Sequence, residues 1–189
     1  MKPILRDFPD SFDTERLTIR APRAGDGAEM NAAVRDSWSE LQEWMPWAAG
    51  DPPAVEEHEA RLREARARFL LREDMWLLLF LKGTDTLAGS SGLHRINWNV
   101  PSLEIGYWVR TPYGRQGYIT EAVKGITNFA FDLLGARRVE IRCDSLNERS
   151  AAVARRSGYE LEATLHNHDR HHRSNRLRDT LVFVRTAPD

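Results

Sequence analysis

The sequence predicts a mixed α/β protein, and three segments carry that prediction. Residues 14–20 alternate between polar and apolar side chains, and residues 75–82 form a nearly continuous apolar run, so both segments are typical of strands. Residues 103–109 are again apolar and rich in β-forming residues. A glycine-bearing segment, residues 110–117, ends this strand, and apolar residues then recur at helical spacing over residues 118–134. Strands and helices therefore alternate along the chain, around this strand–turn–helix unit.

Length and composition are ordinary for a soluble domain. The chain has 189 residues, of which 41% are hydrophobic and 29% charged. This predicts one domain over residues 1–189, with a lead-in at residues 1–13. The net charge of -1 argues against a nucleic-acid partner. No apolar run approaches the roughly 20 residues that span a bilayer, and the N-terminus lacks the apolar core of a signal peptide. One cysteine allows no intrachain disulfide, so we expect a cytoplasmic protein without a membrane partner.

The remaining segments continue the alternation. A first helix is predicted over residues 26–38 and a second, strongly charged helix over residues 52–71, whose polar face is expected in solvent. The apolar positions that share a face of the second helix are Ala54, His58, Leu62, Ala65 and Phe69. The later predicted elements are a strand over 86–96, a strand over 138–143, a short helix over 151–157, a long strand over 159–168, a loop over 169–178 and a last strand over 179–185.

The turn between the central strand and the central helix has the features of an anion site. The first N–H groups of a helix have no partner within the helix, and its dipole places partial positive charge there. Gly117 lets an anion approach the backbone closely, and Arg115 adds a mobile charge. The spacing matches neither the P-loop nor the dinucleotide-binding fingerprint. On geometry alone, an anion site and an ordinary β–α turn remain alternatives.

Residues 114–122, G-R-Q-G-Y-I-T-E-A, resemble the acyl-CoA pyrophosphate loop of the GNAT acetyltransferase superfamily. Gly117 takes the central glycine position, whereas Gly114 replaces the usual Gln or Arg and Ile119 the usual Gly or Ala. The I-G-Y-W stretch before the loop, the opening T-E-R-L-T-I-R and the closing R-D-T-L-V-F-V-R are similar to the ribosomal-protein N-acetyltransferase branch. The resemblance implies the GNAT fold, a central twisted sheet, mixed and mostly antiparallel, with helices on both faces.

The resemblance also implies acetyl-CoA as the co-substrate, and no metal. It places the pyrophosphate on the loop and the first helical turn, at Gly114, Arg115, Gln116, Gly117, Tyr118, Ile119 and Thr120. Backbone groups of Trp108, Val109 and Arg110 would hydrogen-bond the pantetheine arm. The pattern from Asn147 to Tyr159 is similar to a second cofactor motif, in which Asn147 binds the same arm and Ser150 lies near the thioester sulfur.

For catalysis, the resemblance implies direct attack of a primary amine on the thioester. Ser150 would serve the departing thiolate, because the tyrosine that many superfamily members place midway along this helix is Ala154 here. A base must also take the ammonium proton. The branch places a carboxylate near Asp169, and Glu104 on the cofactor strand is the second candidate. An ordinary surface or paired carboxylate remains the alternative for each.

The resemblance implies the acceptor only in outline. The first expectation is the N-terminal α-amine of a ribosomal or other protein, and the alternative is a small-molecule amine or antibiotic. A second alternative is a non-catalytic acyl-CoA-binding module, and the branch also allows a homodimer. Trp44 and Trp47 flank Pro46 and are interpreted either as a hydrophobic staple between helices or as a wall of the acceptor cleft.

Two other groups of residues are not expected to carry chemistry. Cys143 is interpreted as a small buried hydrophobe rather than a nucleophile. The spacing of four histidines matches no standard metal site, which usually needs three or four fixed ligands, so a solvated hairpin tip is expected there. These histidines are His166, His168, His171 and His172.

Overall fold

One sheet of eight strands organises the computed structural model, which describes residues 2–187. The strands are β1 (Ser11–Asp13), β2 (Leu17–Arg20), β3 (Met75–Leu81), β4 (Leu87–Asn97), β5 (Ser102–Val109), β6 (Arg138–Asp144), β7 (Glu160–Arg170) and β8 (Leu177–Thr186). The helices are α1 (Gly27–Asp36), α2 (Trp38–Trp44), α3 (Val55–Leu71), α4 (Tyr118–Asp132) and α5 (Glu148–Arg156). The strand order is β1-β2-β3-β4-β5-β6-β8-β7, and only the β5–β6 pair is parallel. The predicted mixed, mostly antiparallel sheet is confirmed.

Helices cover both faces of the sheet, because β3 is apolar on both sides. Leu78 and Phe80 pack with α1 and α3 in one hydrophobic cluster. Leu77 and Leu79 pack with α4 and α5 in the other. The continuous apolar run of β3 therefore lies in the middle of three layers, with two separate cores above and below it.

The predicted first helix ends at Asp36, because the chain turns at the buried Ser37, and a second helix that was not predicted, α2, begins at Trp38. The backbone φ of Ser37, -118°, is not helical. The Ser37 hydroxyl donates to the carbonyl of Ala33 at 2.8 Å and accepts the N–H of Thr111 at 3.0 Å. A serine side chain that bonds to the backbone competes with helical geometry. Here it ties α1 to the loop that follows β5, which periodicity did not reveal.

The predicted loop over residues 169–178 is too long, because strands occupy much of it. β7 extends to Arg170 and β8 begins at Leu177, which leaves residues 171–176 as the tip. Polar cross-strand contacts hold this hairpin: Arg178 pairs with Asp169 at 2.7 Å. The usual apolar alternation of a strand is absent here, so the sequence pattern indicated a loop instead.

The predicted lead-in contributes a strand to the edge of the sheet. β1 pairs antiparallel with β2 along Ser11–Asp13. Met1, at the start of the lead-in, and residues 188 and 189, at the end of the predicted domain, lie outside the described residues. Within residues 2–187, no helix is long and apolar enough to cross a membrane.

Candidate active site

Strands β5 and β6 part along their length and leave a gap in the middle of the sheet. Their parallel pairing extends only from Ser102–Arg138 to Glu104–Glu140. Beyond that point β6 continues its pairing with β8, and β5 continues its pairing with β4 as far as Val109. One edge of the gap is therefore the backbone of residues 105–109.

The ladder between β4 and β5 determines which backbone groups face this gap. Arg110 donates its N–H to the carbonyl of Ala88 at 2.8 Å, and hydrogen-bonded residue pairs alternate along an antiparallel ladder. The backbone groups of Trp108 therefore face β4, whereas those of Tyr107 and Val109 face the gap. Buried backbone groups need partners, and an extended chain bearing amides would supply them.

A slot of about 200 Å³ lies in the gap. The hairpin tip and the end of α2 close one side of it. His171 and His172 donate their Nε2–H groups to the carbonyls of Glu43 and Gln42, at 3.1 and 2.9 Å. The tip was predicted to be solvated, but these two contacts hold it against α2. Other residues that line the slot are Trp44, Ile105, Gly106, Tyr107, Cys143, Asn147 and Ser150.

The loop after β5 exposes unpaired N–H groups at the start of α4. Gly117 has a φ of 84°, which glycine adopts without strain. The N–H of Glu121 makes the first helical bond, to the carbonyl of Gly117 at 3.0 Å, so the N–H groups of residues 118–120 have no helical acceptor. Arg115 is exposed beside them. The loop thus has the donors and the positive potential that bind an anion.

Arg16 brings a second positive charge to this loop. It was not among the predicted site residues. Its Nε donates to Oε2 of Glu121 at 2.6 Å, and its Nη1 donates to the carbonyl of Gln116 at 3.0 Å. Burial would raise the pKa of Glu121, but hydrogen bonds from Thr14 and Arg16 outweigh it and lower that pKa. The T-E-R-L and I-T-E-A motifs are therefore joined by an ion pair.

Arg110 and Gly114 are placed differently from the predicted cofactor contacts. The Arg110 guanidinium lies 2.7 Å from both Glu29 and Asp36 of α1, and only 13% of the arginine side chain is exposed. Gly114 uses its N–H locally, for the carbonyl of Thr111 at 3.0 Å. The side chain of Arg110 therefore holds α1 against the end of β5. Its backbone N–H, predicted to contact the pantetheine arm, donates to the carbonyl of Ala88.

Ser150 lies on the wall of the slot in a hydrogen-bonded group with Tyr107. The side chain of Asn147 accepts the N–H of Ser150 at 3.0 Å and caps α5. The Tyr107 hydroxyl lies 3.0 Å from both the Oγ and the carbonyl oxygen of Ser150. Burial raises the pKa of the Tyr107 phenol and of the Cys143 thiol, so both remain protonated at neutral pH. No sequence pattern predicts the contact between Tyr107 and Ser150, because the two residues are 43 positions apart.

The two carboxylates predicted as bases are engaged with arginines. Asp169 pairs with Arg178 at 2.7 Å, and 54% of its side chain is exposed. That contact lowers the pKa of Asp169. Glu104 lies 3.3 Å from Arg95 and 3.5 Å from Arg142. A lowered pKa makes Asp169 a weaker base. Neither Asp169 nor Glu104 lines the slot or the larger cavity beside it.

A larger cavity of about 440 Å³ lies on the face of the sheet that α1 and α3 cover. It meets the slot at Gly106 and Tyr107, which line both spaces. Its other walls are largely aromatic and aliphatic: Met30, Val34, Met45, Trp47, Ala65, Trp76 and Trp108. An acyl group in the slot and a second molecule in the cavity would therefore approach each other across β5.

The tryptophans on either side of Pro46 have separate positions. The ring centroid of Trp47 lies 6.5 Å from that of Trp38 and 6.5 Å from that of Trp108. Trp47 thus packs between α2 and β5 and lines the larger cavity. Trp44 lines the slot instead. The acceptor role that the resemblance implies for these two tryptophans stays a prediction.

Two histidines line the larger cavity, and neither was a predicted site residue. Nδ1 of His94 lies 2.7 Å from Oδ2 of Asp74. His58, on α3, is only 3% exposed, and its Nε2 has no hydrogen-bond partner among the described residues. Burial lowers the pKa of His58, so it is neutral at pH 7. Within residues 2–187, no group of three or more His, Cys, Asp or Glu is arranged to hold a metal ion.

Comparisons with known proteins agree with this arrangement. The family model described as Acetyltransferase (GNAT) domain matches residues 16–160. A ribosomal-protein-serine acetyltransferase of Escherichia coli (strain K12) is 27% identical over 123 residues, which cover 65% of this chain and 69% of the relative.

Two solved structures share the fold. The microcin C7 self-immunity acetyltransferase MccE, in complex with acetyl-CoA and AMP, has a TM-score of 0.86 at 18% identity and covers 95% of this chain and 98% of its own. RimL, the ribosomal L7/L12 α-N-protein acetyltransferase, in complex with CoA, has a TM-score of 0.83 at 20% identity, with 92% and 95% covered. At these identities the likeness concerns the fold alone, and it confirms the predicted fold class.

Proposed function

The chain belongs to the GNAT acetyltransferase family, and on that premise we propose that it transfers the acetyl group of acetyl-CoA to the α-amine at a protein N-terminus. The parting of β5 and β6, with an anion-binding helix start beside it, is the observation that carries this proposal. The name of the Escherichia coli relative supports a ribosomal-protein acceptor. Such an acceptor would place the reaction in the cytoplasm.

The gap and the start of α4 beside it have groups that can bind each part of acetyl-CoA. The pyrophosphate would bind the N–H groups of residues 118–120, with Arg115 and Arg16 nearby. The amides of the pantetheine arm would pair with the backbone of Tyr107 and Val109, as an added strand does at a sheet edge. When bound, acetyl-CoA supplies the activated acetyl group at the wall that Ser150 forms.

Acetyl transfer then needs three things from the protein. A base must make the amine nucleophilic, N–H donors must stabilise the oxyanion, and the departing thiolate must receive a hydrogen bond or a proton. We assign the last role to the Ser150 hydroxyl. Tyr107 stays protonated beside it and holds its position through the contacts of 3.0 Å.

Replacing Ser150 with alanine is expected to lower kcat by about 10- to 100-fold, at the low end of what a positioned proton donor contributes. The affinity for acetyl-CoA should stay within about threefold, because the other contacts to the arm remain. Steady-state kinetics on saturating acetyl-CoA and calorimetric titration would measure the two effects.

Ser157→Ala is the matched control for that change. Ser157 lies at the C-terminal end of the same helix, is only 2% exposed and lies outside the slot, and its hydroxyl has no hydrogen-bond partner among residues 2–187. This variant should keep wild-type kcat. Equal kcat in Ser150→Ala and wild type would remove Ser150 from the mechanism.

A small-molecule amine is the second candidate acceptor, and the larger cavity favours it. At about 440 Å³ the cavity is large enough for a ring-bearing amine. The neutral His58 offers one unpaired nitrogen in its wall, and an unpaired buried polar group costs free energy until a partner arrives. An aromatic amine would fill the indole-lined part of the cavity and leave its amine near Gly106.

An acceptor screen tests the proposed function and separates the candidates. The probes are a synthetic peptide with a free N-terminal serine, the same peptide with its N-terminus blocked and an internal lysine free, and phenethylamine. Release of CoA gives the rate, and mass spectrometry locates the acetyl group.

We expect acetylation of the free serine peptide at its α-amine and none of the blocked peptide. Faster acetylation of phenethylamine than of the peptide would favour the small-molecule reading. Transfer to none of the probes, with acetyl-CoA bound in a calorimetric titration, would contradict catalysis and favour an acyl-CoA-binding module.

A further inference from the structure

The place where the slot and the larger cavity meet defines where proton transfer must occur. Gly106 and Tyr107 line both spaces, so a thioester in the slot and an amine in the cavity come together over this part of β5. A primary amine arrives as an ammonium ion, and its proton must go to a group on the cavity side.

His94 lies over this meeting point. Its imidazole is close to the backbone of two glycines, since a Cβ added to Gly106 would lie 3.7 Å from Nε2 and one added to Gly92 only 2.7 Å from it. The absence of side chains at both positions leaves room for the ring. His94 lines the cavity with 35% of its side chain exposed, so a path to solvent exists for a proton.

Asp74 determines which nitrogen of His94 is the base. A carboxylate only accepts hydrogen bonds, so the contact of 2.7 Å requires a proton on Nδ1. In the neutral ring Nε2 then carries the lone pair. Nδ1 is turned to Asp74, and Nε2 lies beside Gly92 and Gly106, of which Gly106 lines both spaces.

The other titratable groups around the cavity are less well placed. Glu104 is the cross-strand partner of His94 but contacts two arginines. His58 lies on α3, across the cavity from the strands. Glu64, Arg61 and Arg68 are exposed on the same helix. Resting on the proposed function, we propose that His94 is the general base of acetyl transfer and that Asp74 positions it.

His94 accepts the first of the two protons that the amine nitrogen loses. Nε2 takes one proton from the ammonium group and later releases it to solvent. The free amine forms the C–N bond to the acetyl carbon, the C–S bond breaks, and the electron pair leaves on the CoA sulfur. As the amide forms, the nitrogen releases its second proton to solvent. The thiolate takes the hydroxyl proton of Ser150, and solvent returns a proton to that oxygen.

Two acceptors of matched shape test this role. Phenethylamine is an ammonium ion at neutral pH and needs a base, whereas O-benzylhydroxylamine has the same size and is already uncharged. In His94→Gln, kcat with phenethylamine should fall by about 100-fold or more, the usual contribution of a general base. With O-benzylhydroxylamine it should change by less than about fivefold. Asp74→Asn should show the same pattern with a smaller loss.

His166→Gln is the control, because His166 also contacts an aspartate, Asp179 at 2.9 Å, but lies exposed outside both spaces. It should leave both rates unchanged. The ratio of the two rates within one variant does not depend on how much protein is folded.

Equal losses with the two compounds in His94→Gln would show that His94 only shapes the cavity, and no loss with either would exclude it. If the wild-type protein acetylates the serine peptide but neither compound, the comparison moves to that peptide, on which an unchanged kcat in His94→Gln would overturn this assignment. Failure to bind acetyl-CoA at all would instead contradict the proposed function.

Discussion

Replacing Gly117 with aspartate is expected to weaken acetyl-CoA binding by at least about 100-fold, or about 2.7 kcal/mol. The new carboxylate would lie at the start of α4, beside the N–H groups of residues 118–120 that are proposed to bind the pyrophosphate. Like charges placed together at a binding site cost several kcal/mol. The added Cβ would also lie 3.4 Å from Nη2 of Arg16, so the carboxylate would draw that guanidinium away from the ligand.

The helix itself should survive this change. Aspartate is among the residues that tolerate a positive φ, and a negative charge at a helix N-terminus is favourable. Calorimetric titration would give the affinity, and circular dichroism would report the fold.

Gly135→Asp provides the matched control. Gly135 also has a positive φ, of 68°, follows the other end of α4, and has no atom within 4 Å of an added Cβ. It carries the same backbone strain and the same charge without approaching the loop. If both variants lost affinity equally, backbone strain would explain the result. If neither lost affinity, the pyrophosphate would have to bind elsewhere.

Replacing Arg110 with methionine is expected to lower the free energy of unfolding by about 1–3 kcal/mol and to leave acetyl-CoA affinity within about threefold. Its guanidinium joins Glu29 and Asp36 of α1 to the end of β5 and is only 13% exposed. The two carboxylates are more exposed, at 32% and 44%. The cost should therefore lie between that of a surface pair and that of a fully buried one. Denaturant unfolding measures it.

Arg115→Met should give the opposite result. Arg115 is exposed next to the start of α4, so its loss should weaken acetyl-CoA binding and barely change stability, as surface substitutions usually do. Reduced acetyl-CoA affinity in Arg110→Met, with unchanged stability, would instead show that the Arg110 side chain serves the ligand. The two variants together separate the arginine that holds the fold from the one that serves the ligand.

Local patterns in the sequence predicted two structural features of the candidate site, the start of α4 and the start of α5. The glycine-bearing turn between a strand and a helix depends on neighbouring residues alone, and so does the cap that Asn147 makes on α5. Ile119 departs from the family pattern, but its side chain is buried in the core at 8% exposure. Helical periodicity had placed it there. These features could be predicted from the sequence because each one depends on residues that are close together in the chain.

The contacts around the slot and the larger cavity could not be predicted in this way, because they join distant segments of the chain. Asp74 and His94 meet across β3 and β4, and Tyr107 meets Ser150 across the gap between β5 and β6. No spacing rule connects such pairs. Asp169 was chosen by its place in the chain, and its partner Arg178 lies opposite it in a hairpin that the sequence pattern did not show.

The sequence by itself determined the family, the order of the strands and helices other than β1 and α2, and the glycine-bearing turn proposed to bind a pyrophosphate, because backbone turns and amphipathic periods are local properties. The tertiary structure alone decided which backbone groups of β5 face the gap, which arginine pairs with α1, and which histidines line the larger cavity. Those outcomes depend on the strand register and on how the helices pack on the sheet. Side chains that are far apart in sequence become neighbours only when the register and the helix packing are both fixed.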